Sequence, residues 1–329
     1  MVLQPKDTVG FATSEEDARL QVQKLAENFN KHRRLELNAP RTKGVVQNLE
    51  KLQRVELGMT EQDLDHPEKS SWVKLSAHYD DFAGRTTRQA TDVALNAVSA
   101  GPSTKLLDVA TGPGYIAAEA TRRGADAIGI DFSTEMIADA RKRFPDLKFQ
   151  LGDAENLDFS EASFDAVVCA FGLLHLPRSG KAIAEAYRVL RPGGHYSFTV
   201  WSNGPKVRLF DIIGQAVQKF ADPSISMPPG PSQFMLSDPW VCSALMDAAT
   251  FTDVSVSEIP SVFEAKSPQE VVEFMRKCTV RAANLYNRQT PARQLEIDKA
   301  LTGAGAAAMA AGAGRIPCPA LLVTGMKPL

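Results

Sequence analysis

The 329-residue sequence is poor in cysteine and tryptophan and has no surplus of charge of either sign. Its four cysteines, Cys169, Cys242, Cys278 and Cys318, form no C-x-x-C pair. So few in so long a chain argue against a disulfide scaffold and point to a reducing compartment. Lys plus Arg number 37 against 39 Asp plus Glu. That balance lacks the basic excess of a protein that grips a phosphate backbone, so no nucleic-acid partner is expected. No apolar run reaches the roughly 18 residues of a membrane span, and none is expected. The first residues lack the apolar stretch of a secretory signal, so the expected location is cytoplasmic. The five histidines, His32, His66, His78, His175 and His195, show no H-x-x-x-H spacing, and no metal site is expected.

What is present is organised in three parts. Residues 1–70 hold 11 Lys or Arg and 12 Asp or Glu. Helical apolar spacing over 15–37 and 42–57, broken near Pro40, predicts a helical extension. It would pack on the main domain, cover its site, or join two copies as a homodimer arm. Residues 71–202 read as alternating strands and helices. The strands are LLDVA, AIGID, LKFQLGD, FDAVVCAF and 195–201, and the helices are 115–123, 133–144 and 181–190, the last stopped by RPGG. This alternation predicts a parallel sheet covered on both faces. Residues 203–329 complete it, with strands at 254–259 and 320–324. Helices are expected at 207–220, 239–249, 268–287 and 290–301. The tract GAGAAAMAAGAG at 303–314 is left as helix or loop, because alanine favours helix and glycine opposes it. The fold expected is α/β: a Rossmann-like, mostly parallel seven-stranded sheet with an N-terminal helical extension and C-terminal helical insertions.

The sharpest motif is Asp108-Val-Ala110-Thr-Gly112-Pro-Gly114 between a strand and a helix. Glycines there let backbone approach a ligand closely. Alone the motif is weak, since Gly112–Ala117 also satisfies the G-x-G-x-x-A dinucleotide pattern. Asp131 stands 23 residues after Asp108, where a carboxylate can accept from both ribose hydroxyls. A dinucleotide would bring a pyrophosphate to this turn, and Asp108 would repel it. S-adenosylmethionine brings a sulfonium and an ammonium, which Asp108 suits directly or through water. Asp153 ends the third strand. Its carboxylate can accept from the adenine amine while the Ala154 amide donates to a ring nitrogen. As helix caps or turn residues these acids would be ordinary one at a time; three in this order make a site.

LLDVATGPGYIA, IGIDFSTEMIADARKRFP, LGDAENLDFSEASFDAVVCAFGLLHL and RPGG resemble the successive motifs of class I S-adenosylmethionine-dependent methyltransferases. They are most similar to the small-molecule branch that includes ubiquinone and menaquinone biosynthesis methyltransferases. The resemblance covers residues 76–201. It departs from the family pattern at Ala110, where the family usually has glycine. It implies that Asp108, Ala110, Gly112 and Gly114 line the methionine part of the cofactor. Asp131 would take the ribose, Phe132 and Met136 the adenine face, and Asp153 and Ala154 its edge. Cys169 and Ala170 would lie beneath the methionine through their backbone. Tyr79 resembles an aromatic that closes over the cofactor, with Arg88 approaching its carboxylate. Phe132, Met136 and Tyr79 can equally be packing residues, and Cys169 fits a packing role better than a nucleophile.

Methyl transfer is an in-line displacement that needs orientation and, for a protonated acceptor, a base. His175 in GLLHLP is the first candidate for base or orienting group, and His78 the second. His195 opens a strand and favours structure. Proline-rich SISMPPGPSQFML and the aromatics after residue 203 suit a wall over an apolar pocket. The expected function is methyl transfer from S-adenosylmethionine to a small, partly apolar, aromatic or polyketide-like metabolite, at oxygen first, yielding S-adenosylhomocysteine. Three alternatives stay open: a rearrangement or cyclisation steered by the bound sulfonium, a non-catalytic scaffold, and an NAD-linked oxidoreductase.

Overall fold

A computed structural model describes residues 78–202, 208–225 and 234–329. The expected helical extension over 1–70, with its role as a dimer arm, lies outside the described residues, as does most of the proline-rich stretch at 226–233.

The chain enters through a single helical turn at Tyr79–Asp81, then α1 (Ala83–Thr87) and α2 (Thr91–Ala97). Next come β1 (Lys105–Val109), α3 (Tyr115–Arg122), β2 (Asp126–Asp131), α4 (Thr134–Arg143), β3 (Lys148–Leu151) and β4 (Phe164–Ala170). They are followed by α5 (Ser179–Val189), β5 (Leu190–Trp201), α6 (Arg208–Phe220), α7 (Pro239–Ala248), β6 (Thr252–Ile259) and β7 (Val262–Glu264). The chain closes with α8 (Gln269–Cys278), α9 (Val280–Asn287), α10 (Pro291–Gly312), β8 (Arg315–Pro317) and β9 (Ala320–Met326).

Seven strands form one sheet in the order β3-β2-β1-β4-β5-β9-β6. The first five pair in parallel, and β9 runs antiparallel between β5 and β6. The Rossmann-like, mostly parallel seven-stranded sheet expected from the sequence is therefore observed. Ala166, Val167, Val168 and Cys169 of β4 are all fully buried, as a central parallel strand covered on both faces must be. Alternate residues serve opposite cores. Leu107, Val167 and Cys169 join Ile183 of α5 and Leu209 of α6, whereas Leu106, Ala166 and Val168 join Leu95 of α2, Ile116 of α3 and Ile137 of α4. Among the described residues no helix is long and apolar enough to cross a membrane.

Three local expectations change. The RPGG segment does not stop α5. It belongs to β5, which begins at Leu190, and its extra residues are absorbed where the register with β4 jumps from Phe164↔Leu190 to Ala166↔His195. The displaced backbone is not left unpaired: the Gly193 amide donates to the Lys327 carbonyl at 2.8 Å, and the Lys327 amide donates to Gly194 at 2.9 Å. The helix expected over 268–287 is two helices broken at Thr279, whose φ of -110° and ψ of 128° are extended. The undecided tract 303–314 falls largely within α10, which absorbs 290–301 as well. Ile297, Leu301, Gly305 and Ala308 are buried at helical spacing along it, and the Thr290 hydroxyl caps its start. The antiparallel pair β7–β8 had no clear signal, being only three residues a strand.

Candidate functional site

The strand order reverses between β1 and β4, and in an open parallel sheet a crevice opens there at the carboxyl ends of the strands. A cavity of about 940 Å³, its open mouth included, lies at that place. Its floor is Asp108, Ala110, Thr111 and Gly112 from the β1 exit. One wall is Asp131, Phe132, Ser133 and Met136 from the β2 exit, with Gly152 and Ala154 beyond β3. The other wall is Ala170, Phe171, Gly172, His175 and Leu176 after β4. The roof is Tyr79, Thr87, Arg88 and Thr91, with Tyr115 at the start of α3.

Asp108 is buried. Its Oδ2 accepts from the Thr111 hydroxyl and from the Ala117 amide at 3.1 Å. Its Oδ1 is buried with no hydrogen-bond partner. Burial pushes the Asp108 carboxyl up to about 7, against the opposing pull of those two donors. Asp131 sits opposite. Its Oδ2 accepts from the Gly112 amide and its Oδ1 from the Ser133 amide, both at 2.9 Å. Each oxygen keeps lone-pair capacity for a further donor. Burial raises the Asp131 carboxyl, while the backbone amides bonded to it and the neighbouring His175 work the other way.

The roof brings a neutral phenol and a guanidinium to the cavity. Burial pushes the Tyr79 phenol up to about 12, and its hydroxyl pairs with Thr87 Oγ1 at 3.0 Å. The Arg88 guanidinium lies 4.6 Å from the Tyr115 ring centre, and its Nε donates to the Gly84 carbonyl. The Tyr115 hydroxyl donates to Asp80 Oδ2 at 2.6 Å, where Arg143 also arrives at 2.6 Å. Asp80 thus ties the roof to α3 and α4.

Of the residues singled out in the sequence, Tyr79, Arg88, Asp108, Ala110, Gly112, Asp131, Phe132, Met136, Ala154, Ala170 and His175 line this cavity. Gly114, Asp153, Cys169 and His78 do not. Gly114 has a φ of 90° and turns inward, where an added Cβ would lie 2.6 Å from the Phe149 ring. Asp153 Oδ1 accepts from the Glu155 amide, which turns it along its own loop. Cys169 is buried under the floor, and burial holds its thiol protonated by pushing it up to about 12. The half-exposed His78 pairs with Asp81 at 3.2 Å instead. Thr87, Thr91, Thr111, Ser133, Tyr115, Phe171 and Leu176 were missed. Thr111 and Tyr115 lay within the quoted glycine motif, and Phe171 within the fourth strand. Among the described residues no group of three or more His, Cys, Asp or Glu is placed to hold a metal ion.

Ala110 shows how the departure from the glycine pattern is accommodated. Its φ of 56° is left-handed, which L side chains adopt at a cost of about 1–2 kcal/mol. Space for its Cβ comes from Gly172, where an added Cβ would sit 2.5 Å from Ala110 Cβ and 2.8 Å from Cys169 Sγ. Gly172→Ala is therefore expected to destabilise the fold by about 2 kcal/mol through overpacking. Ala110→Gly in the same background should recover part of that loss. Denaturant unfolding of the two variants checks this, and absence of any recovery would refute the compensation.

Residues 107–198 match the family model described as a methyltransferase domain. A demethylmenaquinone methyltransferase of Beutenbergia cavernae is 38% identical over 139 residues, covering 42% of this chain and 57% of the relative. A ubiquinone/menaquinone biosynthesis C-methyltransferase of Bartonella bacilliformis is 40% identical over 108 residues, covering 30% and 42%. A ubiquinone biosynthesis O-methyltransferase of Alkalilimnicola ehrlichii is 36% identical over 115 residues, covering 33% and 47%. The chain spans about half the length of these curated relatives. Over these matched stretches the chain is similar to methyltransferases of the quinone-methylation branch.

Proposed function

We propose that this chain transfers a methyl group from S-adenosylmethionine to oxygen of a small, partly apolar metabolite. The observation that carries the reading is Asp108 Oδ1, a buried carboxylate oxygen without a partner in the floor of the cavity. An orphaned acceptor of that kind calls for a cationic or hydrogen-bonding ligand group. The residues fit the cofactor. Asp108 would face its ammonium or sulfonium, directly or through water. Asp131 would accept from the ribose hydroxyls, with Phe132, Met136 and Ala154 around the adenine. A pyrophosphate in the same place would meet the Asp108 carboxylate, which disfavours a dinucleotide.

The bound cofactor supplies an electrophilic methyl carbon on a sulfonium. Phe171 and Leu176 exclude water from the acceptor side of the cavity. His175 stands on the same wall and is our candidate to receive the acceptor proton at an imidazole nitrogen as the acceptor–methyl bond forms. The relatives named above include both a C- and an O-methyltransferase, so the acceptor atom is our proposal and rests on a single base suited to a hydroxyl.

Calorimetric titration with S-adenosylmethionine, S-adenosylhomocysteine and NAD is the first test. Micromolar binding of both adenosyl ligands and none of NAD is expected. Screening hydroxylated aromatic acceptors for release of S-adenosylhomocysteine then tests turnover. Binding with conversion of an acceptor but no S-adenosylhomocysteine would replace methyl transfer by rearrangement.

A further inference from the structure

Three carboxylates are buried among the described residues: Asp108, Asp131 and Glu155. The first two line the cavity. Glu155 lies directly behind its wall, next to Ala154, and is fully buried. Its Oε1 accepts from the Arg178 amide at 2.7 Å and its Oε2 from Arg178 Nε at 2.6 Å. One residue thus presents both a backbone and a side-chain donor to the two oxygens. Arg178 in turn stands two residues after Leu176 and three after His175, both on the opposite wall.

The clamp joins two segments that the sheet does not hold together. β3 is four residues long and is the edge strand of the sheet. The loop after it makes its hydrogen bonds to the helix that follows β4. The Leu157 amide donates to Glu185 at 2.8 Å, and Arg188 donates to the carbonyls of Leu157 and Phe159 at 2.8 and 2.7 Å. Glu155 is the cavity end of this seam. An apolar side chain would fill the same volume without the desolvation cost of a buried charge, several kcal/mol per ion. What the ion pair adds is fixed distance and direction between the two walls.

We infer that Glu155 is a positioning residue, which through Arg178 sets Ala154 against Leu176 and so gives the cavity its selectivity for the adenine edge. This rests on the reading that the cavity takes an adenosyl ligand with Ala154 at that edge. Glu155→Gln keeps the shape but turns an amide N–H toward an Arg178 donor, so the walls separate.

The test uses the full chain, with S-adenosylhomocysteine and its 6-oxo analogue, S-inosylhomocysteine, as probes. The native protein should bind the first more tightly. In Glu155→Gln the dissociation constant for S-adenosylhomocysteine should rise about tenfold, which is ~1.4 kcal/mol. That for S-inosylhomocysteine should change little, so the discrimination shrinks by the same factor. Arg178→Gln retains the backbone donor and should lose less; it also carries the test should Glu155→Gln not fold. Adding it to Glu155→Gln should bring little further loss. Equal losses on both probes would make Glu155 merely structural and overturn the inference. So would unchanged affinities. A native protein that binds neither probe would overturn the cofactor reading, and the inference with it.

Discussion

Asp131→Ala is expected to raise the dissociation constant for S-adenosylhomocysteine by about a hundredfold, with a much smaller effect on folding. The native carboxylate accepts one backbone amide on each oxygen, from Gly112 and Ser133. Those bonds aim the remaining lone pairs and fix the carboxylate plane. Two ribose hydroxyls meeting a charged acceptor contribute about 1.5–3 kcal/mol each, so a loss near 3 kcal/mol is the lower end of the range and corresponds to about a hundredfold. The same substitution frees the two amides beside an open cavity, where water can reach them, and this limits the stability cost. Asp131→Asn should lie between the two, since one amide oxygen can still accept while its NH₂ faces a donor. Calorimetry gives the affinity and thermal unfolding the stability. A dissociation constant within twofold of the native value would remove Asp131 from the ribose site.

The two acids that were most legible in the sequence lie at the carboxyl ends of strands, Asp108 one residue before the end of β1 and Asp131 as the last residue of β2. Asp108 and Asp131 follow short, continuously apolar runs, as strands covered on both faces of a parallel sheet must be, so their place near its carboxyl edge follows from the strands themselves. Asp153 shows where this reasoning stops. It too follows an apolar run, but β3 is short and ends at Leu151, so the loop has already turned when Asp153 is reached. Its carboxylate bonds the Glu155 amide and leaves the cavity wall to Gly152 and Ala154. Glu155 could not have been found, because its partner Arg178 is 23 residues away on another element. His78 was singled out for its chemistry and its neighbour Tyr79. A helical turn at Tyr79–Asp81 puts the two on different sides, and Asp81 engages the imidazole. The 303–314 tract was undecidable by propensity, since its burial against α6 and α8 settles what alanine and glycine dispute. RPGG misled for the opposite reason. Proline and glycine usually end elements, but a strand can carry them at a bulge when another segment, here Gly193 and Gly194 with Lys327, pairs the displaced backbone.

The ligand-free protein should become less stable as pH rises to neutrality, with Asp108 the principal group and Asp131 acting in the same direction. Its carboxyl titrates at about 7 in the fold and near the ordinary value of about 3.9 in the unfolded chain. A raised folded value means that the native state holds the proton more tightly. The stabilisation is therefore full below the unfolded value and is lost as pH rises through about 7. Between pH 5.5 and 8 the expected loss is about 2 kcal/mol. Glu119, which Arg122 and Arg123 hold at about 2, titrates far below this window and does not mask the effect. Asp108→Asn should reduce the slope, because the amide has no proton to lose, and Asp131, which burial also raises, accounts for the slope that remains. Ligand affinity should run the other way. A cationic group needs the ionised carboxylate, so S-adenosylmethionine binding should tighten about twentyfold from pH 5.5 to 7.5 and then level off. Binding thus brings a positive charge to the Asp108 carboxylate, and the same group that weakens the free protein at neutral pH and above becomes the anchor of the complex. Titrations across this range in native protein and Asp108→Asn separate the two effects. A native affinity that is flat with pH, or a slope that persists unchanged in Asp108→Asn, would show that Asp108 does not meet the cation.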